Sequence, residues 1–204
     1  MAQTAAQRQF GPAVSPAAAA RADRALPGRA AAGWTLVEAM IALALVGLTA
    51  SLAVPAYGEW IANYRLASHA ERLAGSLALA RSEAVKRGHR VNLCPAPDGL
   101  RCDDGASWDA GWLVYVDVDR DGRVGDDEPV LRAERAADAG IHVRANRPVD
   151  DYVSFTSLGS ARLLGGGLQM GTFTVCRRGL PARKVVLANS GRVRLEKSQY
   201  VCTD

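Results

Sequence analysis

The chain of 204 residues carries 25 Lys+Arg against 21 Asp+Glu, a net charge of +4 that is too small for a polycation, and its length allows one domain with at most an appendage. At 49% hydrophobic and 23% charged residues it is neither a disordered chain, a collagen nor a miniprotein held by disulfides alone. These averages conceal a segregation: residues 1–33 are rich in Ala, Arg, Gln and Pro, whereas residues 36–54 contain one charged side chain, Glu38.

The first predicted element is the run LVEAMIALALVGLTASLAV, Leu36 to Val54, long enough to cross a bilayer as a helix of about twenty residues. Arg21, Arg24 and Arg29 precede it, so the positive-inside rule puts residues 1–33 in the cytoplasm and everything after about residue 57 outside. A cleaved secretory signal fits less well, because the run exceeds a usual h-region and no A-x-A-like site follows it before Pro55 and Tyr57. Inside such a helix Glu38 costs roughly 2.5–3.5 kcal/mol, which marks it as functional unless it snorkels to the membrane edge.

Its surroundings, Gly33-Trp34-Thr35-Leu36-Val37-Glu38 between basic residues and an apolar helix, resemble the class III signal of type IV pilins and type II secretion pseudopilins. The resemblance implies that a prepilin peptidase cuts between Gly33 and Trp34 on the cytoplasmic side and methylates the new N-terminus. It also implies that Glu38, fifth in the mature chain, pairs with the α-amino group of a neighbouring subunit during filament assembly. Trp34 stands where the family usually has phenylalanine, and the leader is long for the family, which is consistent with translation starting downstream of Met1.

Past Pro55, the residues Leu66, Ala70, Leu73, Leu77, Ala80 and Ala84 recur at helical spacing among Arg65, Glu71, Arg72, Arg81 and Glu83, predicting an amphipathic continuation of the helix. Lys86 and Arg87 suit the C-terminal end of the macrodipole and Gly88 can take a left-handed cap, so one helix is expected from about Trp34 to Arg87 with Pro55 tolerated inside it. From residue 89 onward the signals are strands: HRVNLC, GWLVYVDV, PVLRAE, IHVRA, YVSFTSL, GTFTVC, KVVLA and RVRLE, separated by Gly, Asp, Asn and Pro clusters. One helix followed by strands predicts an α+β fold, the amphipathic half-helix packing on an antiparallel sheet. Leu163 to Gly167 is loop-like but lacks G-K-[ST], so it is no phosphate-binding loop.

Cys94, Cys102, Cys176 and Cys202 all follow the apolar run, an even count that suggests disulfides in an extracytoplasmic domain. Of the three connectivities, Cys94–Cys102 with Cys176–Cys202 is favoured, because the first closes a short Pro/Gly/Asp loop and the second ties the C-terminus to GTFTVC. The zinc alternative lacks C-x-x-C or H-x3-5-H spacing. Residues 98–151 hold 14 acidic and 7 basic side chains, whereas residues 177–204 hold 7 basic and 2 acidic. Within the acidic part DVDRDGRVGDDE satisfies D-x-D-x-D-G-x5-E, so Asp117, Asp119, Asp121 and Glu128 could wrap calcium, with Gly122 at the sharp turn and Val124 at the apolar eighth position. No helix flanks it, and a charged hairpin loop turning at Asp121-Gly122 is the alternative.

In NSGRVRLEK, residues 189–197, Asn189, Ser190 and Gly191 form a hairpin turn signal. Alternation places Arg192 and Arg194 on one face, about 6.6 Å apart, with Val193 and Leu195 toward the core. Two guanidiniums at that interval can each take a backbone phosphate, extended by Lys197, Arg177, Arg178, Arg183 and Lys184, unless these charges merely guard a sheet edge. Gly33 to the C-terminus is similar to the GspH/FimT family of minor pilins and pseudopilins, through LCPAPDG…C, GWLVYVDVDRDG…E, the late cysteine and the closing SGRVR. Competence-associated members bind DNA through a C-terminal GRxR, matched here by Gly191, Arg192, Val193 and Arg194. With Tyr200 the one aromatic nearby, backbone contact without sequence specificity is expected.

His69, His89 and His142 are scattered without G-x-S-x-G, H-E-x-x-H or a visible Cys-His pairing, so no enzyme is expected and no cofactor is required beyond the calcium alternative. The expectation is a type IV pilin-like subunit: leader 1–33, membrane or filament-core half-helix 34–57, and periplasmic head 58–204. The resemblance implies an inner-membrane subunit that enters a pilus or pseudopilus beside other pilins and captures DNA during transformation. A minor pseudopilin of type II secretion, acting in pseudopilus assembly and protein secretion, is the alternative.

Overall fold

The computed structural model describes residues 33–203, apart from the side chains of Leu52, Pro55 and Ala56. The expected leader therefore lies outside the described residues, save Gly33. Contacts divide the chain into two compact units, Met1–Gly47 and Leu48–Asp204, and helix α1 (Leu36–Arg87) contributes to both.

In the first unit α1 starts where the Glu38 N–H donates to Thr35 Oγ1 at 3.2 Å. Threonine at the cap with an acid three residues later is the capping-box sequence, and a carboxylate in the first turn suits the positive end of the macrodipole. Trp34, Leu36, Met40, Ile41 and Leu43 are exposed. Among the described residues no helix is long and apolar enough to cross a membrane; the apolar run of the sequence continues through Leu52, whose side chain is outside that set.

In the second unit α1 buries Leu66, Ala70, Leu73, Leu77, Ala80 and Ala84, the six positions expected from the helical period. It ends at Gly88, which adopts φ +70° and donates its N–H to Ala84 O at 3.0 Å, the left-handed cap a glycine accepts without strain. Eight strands follow: β1 (Arg90–Pro95), β2 (Trp112–Asp117), β3 (Val130–Glu134), β4 (Ile141–Ala145), β5 (Val153–Phe155), β6 (Gly171–Arg177), β7 (Pro181–Leu187) and β8 (Val193–Val201). They form two four-stranded antiparallel sheets, β3-β2-β1-β5 and β4-β6-β7-β8. The chain leaves the first sheet after β3, returns for β5 and then completes the second, a division that strand patterning alone does not reveal.

One core joins the buried stripe of α1 to Val91, Leu93, Val114 and Phe155 of the first sheet and to Val143, Phe173, Val175, Val185 and Leu187 of the second. Trp108 opens a short 3-10 turn (Trp108–Ala110) that the sequence reading did not anticipate; its indole N–H donates to Asp150 O at 2.7 Å and its ring meets Phe173 edge-on at 5.1 Å. His69 is fully buried, edge-on to Trp112 at 5.3 Å, and its Nε2 has no hydrogen-bond partner among the described residues. Burial, helped by the charge of Arg72, holds this imidazole below its ordinary pKa. On the other face of the first sheet Cys94, Ala96, Leu113 and Tyr115 form a second small core, with Cys102, Val124 and Tyr152 packed on it. The disulfides are Cys94–Cys102 and Cys176–Cys202, with Cα–Cα separations of 5.5 and 5.7 Å.

Candidate functional site

The C-terminal hairpin pairs β7 with β8, and its turn closes through Ala188 N–H to Arg192 O at 2.9 Å and Gly191 N–H to Ala188 O at 2.8 Å. Gly191 is buried with φ +77°, and a Cβ there would lie 2.0 Å from Gly159 O. One further bond holds the turn in place, and another holds the Gly159 carbonyl that it rests on. Ala161 N–H donates to Asn189 O at 3.0 Å, and the guanidinium of Arg81, from α1, donates its Nε–H to Gly159 O at 2.9 Å. The glycine of the G-R-x-R motif is thus a close-approach residue, while Arg192 and Arg194 remain exposed beyond it.

The patch differs from the one read along the sequence. Arg192 lies in the turn just before β8 and borders a shallow hollow with Arg81 and Lys86 of α1. Arg194 lies opposite Val186 and forms an exposed ion pair with Glu196, Nη2 to Oε1 3.5 Å. Lys197 lies opposite Arg183 and lines another depression with Leu195 and Glu71, so alternation puts it on the face away from Arg194. Leu195 was expected in the core but is 49% exposed, because β8 is the edge strand of its sheet; Val193 alone of that pair packs on the core. Arg177 and Arg178 sit at the β6–β7 end, separated from the 188–192 turn by the length of β7, about 20 Å at the strand rise. Arg183 is half-buried, and among the described residues its Nε has no hydrogen-bond partner. Sequence reading missed Arg81 and Lys86 as neighbours of Arg192, because more than a hundred residues separate them and no local pattern links them.

The acidic loop between β2 and β3 lies on the first sheet. Carboxylate oxygens of Asp117, Asp119 and Glu128 all lie within 4.8 Å of one another, whereas Asp121 stays outside this cluster and its Oδ1 accepts from Arg123 N–H at 2.7 Å. Glu128 accepts from Val118 N–H at 2.6 Å and Gly125 N–H at 3.0 Å, which folds the loop back on itself. Burial raises the pKa of Asp117, against which the side-chain N–H of Asn92 and the backbone N–H groups of Gly122 and Arg120 pull down. At the predicted processing site, among the described residues nothing lies within 4 Å of a Cβ added at Gly33, and Trp34 and Glu38 are exposed.

The sequence profile of the family described as "Type II transport protein GspH" matches residues 69–191, more than half of the chain. The chain belongs to the GspH family. GspH/FimT proteins are minor pilins and pseudopilins, structural subunits of type IV pili or type II secretion systems. The type IV minor pilin FimU of Pseudomonas aeruginosa has a similar fold, with a TM-score of 0.52 at 23% identity over 67% of this chain and 95% of that one. The minor pseudopilin EpsH of the Vibrio cholerae type 2 secretion system gives a TM-score of 0.45 at 14% identity, over 65% of this chain and 97% of that one. In sequence, 66 residues are 36% identical to the type IV major fimbrial protein FimA of Dichelobacter nodosus. That match spans 32% of this chain and 38% of the fimbrial protein, so less than half of that relative's length is represented. In this GspH-family chain the profile match ends at Gly191, the first residue of G-R-x-R, so Arg192 and Arg194 lie beyond it.

Proposed function

We propose that this chain is cut after Gly33, anchored in the inner membrane by residues 34–57, and assembled beside other pilins into a pilus or pseudopilus, where residues 58–204 bind DNA through Arg192 and Arg194. The leading observation in favour is the turn. Gly191 is pressed on Gly159, whose carbonyl is held by Arg81 of α1, and this contact fixes the backbone from which two exposed guanidiniums project. On a fixed backbone only the arginine side chains are ordered when a guanidinium takes a phosphate oxygen, and Arg81 and Lys86 add positive charge beside Arg192. Phosphate contact without an aromatic platform makes the binding indifferent to base sequence. The exposed apolar start of α1 and the Thr35-capped Glu38 suit packing of mature N-termini in a filament.

A second reading, a type II secretion pseudopilin whose head contacts other pseudopilins, draws on the Arg194–Glu196 pair, which leaves Arg194 partly neutralised as surface hairpins often are. Fluorescence anisotropy of the full chain in detergent micelles, titrated into labelled duplexes of unrelated sequence, separates the two. Two phosphate contacts predict affinity falling roughly tenfold between about 50 and 200 mM salt, equally for all duplexes. The Arg192→Ala/Arg194→Ala double variant should lose most of the binding and most of that salt dependence. Absence of binding at low salt, or an unaffected double variant, would leave the pseudopilin reading.

A further inference from the structure

The acidic loop carries more than surface charge. Asp117 is fully buried at the end of β2, its Oδ2 accepts from Asn92 at 2.6 Å, and among the described residues its Oδ1 is buried without a full hydrogen bond, the backbone N–H groups of Gly122 and Arg120 acting on the carboxylate without completing one there. An orphaned carboxylate oxygen at such a position is costly unless something absent from the protein satisfies it. Asp119 and Glu128 bring two more carboxylates to it, all within 4.8 Å, and among the described residues no Lys or Arg forms an ion pair with any of the three. Three carboxylates at that spacing repel one another, and a hard cation with oxygen ligands relieves both the repulsion and the orphaned oxygen.

From this we infer that Asp117, Asp119 and Glu128 bind one calcium ion, a site independent of the DNA reading. The ligand order fits: the three stand at positions 1, 3 and 12 of D-x-D-x-D-G-x5-E, the glycine at position 6 is Gly122 with φ +76°, and Val124 at position 8 is packed into the small core beside Cys94 and Tyr115. Two strands replace the helices that usually flank this loop, and Asp117 still reaches the sheet through Asn92. Calcium is favoured over magnesium because an irregular loop with carboxylates of unequal exposure supplies flexible oxygen ligands rather than a strict octahedron.

The test uses the full chain in detergent micelles, stripped with chelator, in equilibrium dialysis against calcium and in thermal unfolding with calcium or magnesium. One calcium per chain should bind with half-saturation at about 0.1–1 mM, the range of extracellular sites, and calcium should raise Tm more than magnesium does. Glu128→Gln and the exposed Asp119→Asn should each weaken binding roughly tenfold or more. Because Asp119 lies outside the core, its substitution does not lower the metal-free Tm and keeps the test readable even if Glu128→Gln disturbs the loop. No saturable binding up to about 10 mM calcium, affinities unchanged in both variants, or equal shifts with magnesium would each overturn the assignment.

Discussion

Substituting Gly191 by alanine tests the claim that this glycine positions the arginine hairpin. A left-handed φ of +77° costs an alanine about 1–2 kcal/mol relative to glycine. The new Cβ would lie 2.0 Å from Gly159 O and 3.0 Å from Arg81 Nε, so the turn or the Gly159 carbonyl must retreat by about 1 Å. That retreat disrupts the 2.9 Å hydrogen bond from Arg81, a charged donor worth about 1.5 kcal/mol. Together these give about 3 kcal/mol, which for a domain of this size lowers Tm by roughly 6–12 °C. The control is Gly140→Ala, which has a similar φ of +82° but no described residue within 4 Å of its Cβ, and which should cost the conformational part alone. Thermal unfolding by circular dichroism measures both. Equal melting temperatures for the two variants would refute the argument, since the contact with Gly159 would then carry no weight.

Glu196→Gln frees Arg194 from its exposed partner and removes one repelling charge, so duplex affinity at low salt should rise about two- to fivefold with little change in stability; an unchanged affinity counts against Arg194 as a phosphate contact. Replacing Cys176 and Cys202 by alanine, which opens a link across 26 residues, should cost about 3.5 kcal/mol in denaturant unfolding, against about 2.5 for Cys94 and Cys102 across 8; the reverse order would contradict the loop-length argument. Buried His69 has a pKa below its ordinary value of 6.5, so the unfolded chain binds the extra proton first and stability falls as pH drops below about 6.5. A His69→Gln variant should show a flatter pH profile over that range, and an identical profile would show that another group sets the slope.

Much of the fold was legible because short-range periodicity carries it. Leu66, Ala70, Leu73, Leu77, Ala80 and Ala84 are buried where the helical period put them, the helix stops at Gly88, and each of the eight expected runs contributes a strand. These features depend on side-chain spacing and on glycine's backbone freedom, both local properties. The sharing of strands between two sheets was not legible, nor was the exposure of Leu195. Alternation gives the face of a strand but not whether a neighbour covers it, and β8 ends as an edge.

The candidate sites divide in the same way. The sequence by itself determined which groups are present: the Gly33-to-Glu38 signature, the G-R-x-R turn, the cysteines, and an acidic loop with calcium-like spacing. Only the tertiary structure decided which of them meet. It set Arg81 and Lys86 beside Arg192, turned Lys197 away, pressed Gly191 against Gly159, and buried Asp117 with an unpartnered oxygen beside Asp119 and Glu128 while leaving Asp121 out. The physical reason is that such contacts join residues distant in sequence, or depend on the burial of a single atom, and both are consequences of packing.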